Sequence, residues 1–238
     1  MPARIRHLPD QLVNQIAAGE VIERPASALK ELIENSLDAD ASRISVDLAE
    51  GSLSGLTVSD DGAGMAHDEL ILAVQRHATS KLPHDNLVDI QFFGFRGEAL
   101  PSIGSVSQLR LFSRQHEDLH GWALTVRHGN ADEPEPAAGE RGTRIEINDL
   151  FASVPARLKF MKTQKTEAGQ CYDVVRRFAM SRPDVSFILT DSGRTVLQLP
   201  AQDTSDDGFA RRLSEILGPV FARESCLLYT SPSPRDNR

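Results

Sequence analysis

The sequence predicts an α+β protein: one mixed β-sheet with helices on one face. Three observations predict it. Apolar residues recur with a period of two in some segments and near ~3.6 in others. The two kinds of segment are interspersed without regular strand–helix–strand alternation. The chain has 238 residues, 40% hydrophobic and 25% charged, an ordinary globular composition at a length that can bury a sizeable core.

Residues 10–18 read as a short helix stopped by Gly19, and Pro25 as the first residue of a second helix running to about Leu37. Ile44, Val46 and Leu48 alternate in RISVDLA, and LTV at 56–58 follows, so both stretches read as half-buried strands. SDDGAGM at 59–65 is a turn, and 67–76 a helix. Residues 82–95 are poorly periodic, with Pro83, Asn86 and Gly94, and read as a long ordered or mobile loop. A helix near 98–103 precedes strands around 106–113, 122–127 and 143–147, the last two separated by the acidic loop or hairpin NADEPEPAAGERG. Residues 167–181 are helical, and 185–190 and 195–199 form a hairpin around an Asp-Ser-Gly turn. The polar stretch 201–208 reads as a linker, and a last helix from Phe209 carries Leu213, Ile216 and Leu217.

Net charge is −8, so any nucleic-acid contact must come from a local basic patch. Cys171 and Cys226 are the only cysteines and lack metal-type spacing, which excludes a disulfide scaffold or zinc site and suits a reducing cytoplasm. The N-terminal residues contain no secretion-type apolar run, and no stretch approaches membrane-spanning length.

Four segments carry the chemistry. In KELIENSLDADA, Glu31, Glu34, Asn35 and Asp38 are spaced i, i+3, i+4, i+7 and share one helical stripe, while Leu29, Leu32, Ile33 and Leu37 lie opposite. A solvated face and a row of ligands both account for that spacing. VSDDGAGM ends a strand at Asp60 beside Gly62 and Gly64. It reads as an Asp-Gly turn, or as an acceptor for a purine's exocyclic amine that selects adenine over guanine. In FFGFRGEAL, Gly94 and Gly97 permit close backbone approach and Glu98 opens a helix whose N–H groups favour phosphate. Arg96 adds charge there or pairs with a surface acid. RHATSK, residues 76–81, sets hydroxyls and a lysine at a helix end, as a phosphate contact or an ordinary cap. No Gly-Lys dipeptide and no G-x-G-x-x-G occur, which excludes the P-loop and dinucleotide-binding architectures.

In that order, ELIENSLDA, DDGAG, GFRGEAL and the pair Gly142–Thr143 resemble the Bergerat-type ATP site of gyrase B subunits, the heat-shock chaperone of that class, histidine kinases and MutL. NQIAAGEVIERPASALKELIENSLDA, RHATSK, PARLKFMKT and TEAGQCYDVVRRFAM are similar to the MutL family of DNA mismatch repair proteins, over roughly residues 5–223. The resemblance implies ATP and Mg²⁺ as cofactors. It makes Glu31 the general base for water attacking the γ-phosphate and Asn35 the Mg²⁺ ligand. Asp60 would hold the adenine amine, helped by Thr143 through the base or a bridging water, with Gly62 and Gly64 against the purine. Gly94, Phe95, Arg96, Gly97, Glu98, Ala99 and Leu100 would form a phosphate-cradling lid, with Thr79, Ser80 and Lys81 along its nucleotide side. Glu34 and Asp38 receive no clear role.

The same resemblance implies a homodimer formed on ATP binding, a MutS-type mismatch recognition partner, a downstream repair nuclease or helicase, and no membrane association. Weak DNA binding would use Arg157, Lys159, Lys162, Lys165, Arg176 and Arg177, set against Glu167 and Asp173; a solvated helix face explains that set equally well. Residues 1–200 are expected to form the ATPase domain, 201–208 a linker, 209–225 the truncated start of a second α/β domain, and 226–238 a disordered or artefactual tail. MutL proteins place a further lysine on the γ-phosphate from that second domain. Two alternatives therefore stand beside the ATPase switch: a nucleotide-gated binding module with little turnover, and another Bergerat-type ATPase such as a topoisomerase subunit.

Overall fold

The structure, a computed structural model, describes residues 7, 9–52, 54–81, 97–218, 220 and 221. Its helices are α1 (Asp10–Val21), α2 (Pro25–Asp38), α3 (His67–Ala73), α4 (Ala99–Val106), α5 (Pro155–Leu158), α6 (Gln164–Ser181) and α7 (Asp206–Leu217). Its strands are β1 (Arg43–Ala49), β2 (Gly55–Asp60), β3 (Gln108–Arg114), β4 (Gly121–Arg127), β5 (Asn130–Ala131), β6 (Glu135–Ala137), β7 (Gly142–Asn148), β8 (Ser186–Asp191) and β9 (Arg194–Leu199). They form one sheet in the order β5-β4-β3-β7-β2-β1-β8-β9, with β6 also on β4. Every pairing is antiparallel except β1 with β8, so the sheet is mixed, as the sequence predicts.

The period of two in RISVDLA buries Ile44, Val46 and Leu48 and leaves Arg43, Asp47 and Ala49 exposed. Register carries that apolar row across the sheet: Val46 stands opposite Val58 and Leu189, Val58 opposite Ile145, and Ile145 opposite Leu111. Helices close over this one face. In α2, Leu29, Leu32, Ile33 and Leu37 are all buried, each contributing about 1.5–3 kcal/mol. Helix α6 adds Cys171, Val175 and Ala179 at helical spacing, and packs on α2; α1 packs along α4.

Several boundaries differ from expectation, and for α1, α6 and α7 the reason is local. Helix α1 continues through Gly19 to Val21. A Cβ at Gly19 would lie 1.9 Å from the Arg157 guanidinium, which donates to the Ile22 carbonyl at 3.1 Å. The glycine makes room for an arginine and does not stop the helix. Helix α3 ends at Ala73, three residues short of the predicted 76. Val106, expected to open a strand, ends α4, and β3 starts at Gln108. Helix α6 begins at Gln164 because Thr163 caps it, its side chain accepting from the Thr166 amide. Helix α7 begins at Asp206 because Ser205 accepts from the Gly208 amide. The four-residue helix α5 was not foreseen. The expected loop at 82–95, apart from its neighbour Gly97, and the tail at 226–238 lie outside the described residues.

Candidate functional site

Strand β2 ends at Asp60, half-buried between the C-terminal half of α2 and the start of β7. Its Oδ1 accepts the Gly62 amide at 3.0 Å and the Thr143 amide at 3.2 Å, and its Oδ2 accepts the Ser36 hydroxyl at 2.7 Å. Burial pushes the Asp60 carboxyl above its ordinary range, against the pull of these three donors. The adjacent Asp61 is burdened less by burial and is held below the usual range by Ser42 and the Arg43 amide. One carboxylate therefore locks the start of β1, while its neighbour gathers donors from α2, the Gly62 turn and β7. Gly142, with φ +98°, lets β7 begin there; a Cβ would lie 2.0 Å from the Asp60 carbonyl. Gly64 sits in the turn beyond Asp60 at φ +72°.

Thr143 also lies 3.0 Å from the Ser113 hydroxyl, which accepts the Met65 amide at 2.8 Å. The sequence reading missed Ser113 and Ser36. Ser36 follows Asn35 within the ENSLDA run, and its place beside the polar stripe was the available signal.

On α2, Glu31 stands partly exposed, 3.5 Å from the Lys30 ammonium, which pairs with Glu34 at 2.7 Å. Burial pulls the Lys30 pKa down, but the hydrogen bonds and charges of Glu34 and Glu31 leave it raised. Asn35 and Lys81 meet: the lysine ammonium donates to Asn35 Oδ1 at 2.8 Å and pairs with Asp38. Glu34 and Asp38, left without roles by the sequence, are thus the ion-pair partners of two lysines. Mg²⁺ takes oxygen ligands and binds through one or two side chains plus substrate phosphates. The Asn35 oxygen, already turned toward a cation, fits that use.

Thr79 and Ser80 are exposed; Thr79 Oγ1 accepts the Lys81 amide at 3.1 Å. Gly97, Glu98, Ala99 and Leu100 lead into α4, with Glu98 at its N-cap position and 2.8 Å from His77 Nδ1. Helix α4 starts at Ala99, one residue after the predicted start. Gly94, Phe95 and Arg96 lie outside the described residues.

Residues 22–148 match the family described as histidine kinase-, DNA gyrase B-, and HSP90-like ATPase. The DNA mismatch repair protein MutL of Paramagnetospirillum magneticum is 57% identical over 219 residues, covering 91% of this chain and 36% of that protein. The MutL of Bradyrhizobium diazoefficiens is 52% identical over 217 residues, with coverage of 91% and 36%. The chain thus spans about a third of the length of these relatives. The solved Aquifex aeolicus MutL ATPase domain complexed with ADP superposes with a TM-score of 0.67 at 30% identity, covering 83% of this chain and 70% of that one. A mixed sheet, a carboxylate at the end of β2 and this agreement lead to one assignment: the chain belongs to the histidine kinase-, DNA gyrase B- and HSP90-like ATPase family, as the ATPase domain of a MutL DNA mismatch repair protein.

Proposed function

We propose that the chain binds ATP with Mg²⁺ at the α2–β2 site, hydrolyses it, and uses the bound nucleotide to switch association between two copies. One observation carries the reading: the Asp60 carboxylate is fixed by three donors, one of them from the helix turn that presents Asn35. An ionised carboxylate has about four acceptor positions, so the three donors leave one for an adenine amine. Guanine offers a carbonyl at that edge and is repelled. The ADP bound by the Aquifex aeolicus relative supports a nucleotide in this fold.

Glu31 acts as the base, orienting the attacking water and taking its proton. Asn35 Oδ1 would hold the metal, whose charge would neutralise the phosphates. Lys81 contributes a mobile positive charge to the phosphates, with Thr79 and Ser80 beside it. Amides at 97–100 belong to the phosphate side.

A MutS-type recognition protein and a downstream nuclease or helicase are the proposed partners, in the cytoplasm where ATP and DNA are both at hand. No helix among the described residues is long and apolar enough to cross a membrane. Weak DNA contact is proposed at Lys159, Lys162, Lys165, Arg176 and Arg177, all exposed. Glu167 is fully buried, with its carboxylate accepting the Lys162 amide, so it is withdrawn from that face. Arg157 is instead engaged at Ile22.

The test is competitive binding of ATP and GTP to wild type and Asp60→Asn. Wild type should prefer ATP, and the variant should lose about 1–3 kcal/mol of that preference. Equal wild-type affinity for both nucleotides would remove Asp60 from base recognition.

A further inference from the structure

Lys81 lies on the proposed nucleotide side, yet its ammonium points back at α2. It rests on Asn35 Oδ1 at 2.8 Å and on Asp38, and the paired side chains are only 17% and 6% exposed. The amide oxygen assigned to the metal is thus already covered by a cation. Mg²⁺ would stand ~2.1 Å from that oxygen. The two cations would then be no more than about 5 Å apart, where they repel strongly in a partly buried site. They cannot comfortably share it.

We propose that Asp38 is a positioning residue that latches Lys81 over Asn35, so that the lysine must leave before a metal-bearing nucleotide can seat. This rests on the reading of Asn35 given above. The ammonium balances the acidic face of α2. Its flexible four-carbon stem lets it swing to the phosphates without backbone rearrangement. The latch and a metal on Asn35 exclude one another, so the latch's energy opposes loading. Discharging Asp38 should therefore tighten binding, although the substitution removes a negative charge that would otherwise attract Mg²⁺. If the pair is instead a static brace that aims Lys81 at the phosphates, the same substitution should weaken binding.

The experiment is calorimetric binding of ADP, with Mg²⁺ and with EDTA, to wild type and Asp38→Asn. The latch predicts Mg·ADP binding about tenfold tighter in the variant, equivalent to ~1.4 kcal/mol, with less than about threefold change in EDTA. Equal or weaker Mg·ADP binding overturns it. Wild-type affinity indifferent to Mg²⁺ would overturn the Asn35 assignment too, which separates the two failures. A second measurement does not depend on the variant folding well. The ¹⁵N-lysine resonance missing from Lys81→Gln identifies Lys81 in the wild type. It should shift with Mg·ADP and hold still with ADP in EDTA; a resonance unmoved by Mg·ADP overturns the latch.

Discussion

Asp60 and Asp61 show how little of a side chain's role resides in its type. Asp60 closes β2 and Asp61 follows it, yet one is pushed up by burial and the other held down by donors from the β1 start. The base role proposed for Glu31 rests on position in the same way: it stands partly exposed on the polar stripe of α2, one turn before Asn35. A base acts in the transition state and not in ground-state binding. Glu31→Ala should therefore leave ATP affinity within a few-fold while slowing single-turnover hydrolysis by ~10²–10⁴. Undiminished hydrolysis would move the base elsewhere, and hydrolysis absent from wild type would favour a gated binding module. Glu31 and Asn35 stood out as polar residues at helical spacing against an apolar stripe, and Asp60 as a strand-end carboxylate beside two glycines; the roles proposed for them come from the resemblance. Ser36 and Ser113 did not stand out. Each is a small buried residue whose partner is set by how α2, β3 and β7 meet around β2, and that register is not written in any one segment.

At the scale of elements, periodicity identified most helices and strands but not their order in the sheet. The parallel pairing of β1 with β8 joins strands far apart in sequence, and nothing local announces it. What secures that side of the sheet is equally non-local. Asp191, ending β8, accepts from Tyr172 of α6 at 2.6 Å, from Ser192 at 2.9 Å and from the Gly51 amide at 3.2 Å. Burial pushes its carboxyl up, but these donors win and leave it below the ordinary value of 3.8. A depressed carboxylate stabilises the fold above that ordinary value, and the contribution disappears as pH falls through the depressed one. Burial and Asp191 together push Tyr172 up to about 12. Its contribution therefore holds below ~10 and is lost as pH rises through about 12. Tyr172→Phe should cost about 1 kcal/mol at neutral pH, after discounting for solvent. Its acid unfolding should begin at a higher pH than in wild type. Superimposable acid titrations of the two proteins, followed by circular dichroism, would rule out this linkage.

For the molecule as a whole, the decisive fastening is a residue the sequence hid. The last helix carries Leu213, Ile216 and Leu217, yet Leu217 is 51% exposed and Arg212 is fully buried. The seated face runs Gly208, Arg212, Ile216, at i, i+4, i+8. The Arg212 guanidinium donates to the carbonyls of Ala179 at 2.8 Å, Arg182 at 3.3 Å, Pro183 at 3.1 Å, Val185 at 3.1 Å and Pro200 at 2.7 Å. It thereby joins α7 to the end of α6, the approach to β8 and the exit of β9. The Gln202 amide, in the stretch expected to be a linker, adds a bond to Pro183 at 2.7 Å. Arg212→Leu would fill the space but strand these carbonyls, costing about 3–5 kcal/mol and roughly 10 °C in melting temperature. Arg212→Lys should recover little, since a point charge cannot replace a planar fork. The proposed nucleotide site lies at β2, inward of β1 and β8, and shares none of these bonds. At temperatures where Arg212→Leu is still folded, ADP affinity should therefore stay within about twofold of wild type, the loss falling on the α6–β9 side of the sheet. Denaturant unfolding and ADP binding on the same sample check both halves. A cost below ~1 kcal/mol would show that α7 is seated by its apolar contacts, and a parallel loss of ADP affinity would show that the fastening reaches the site.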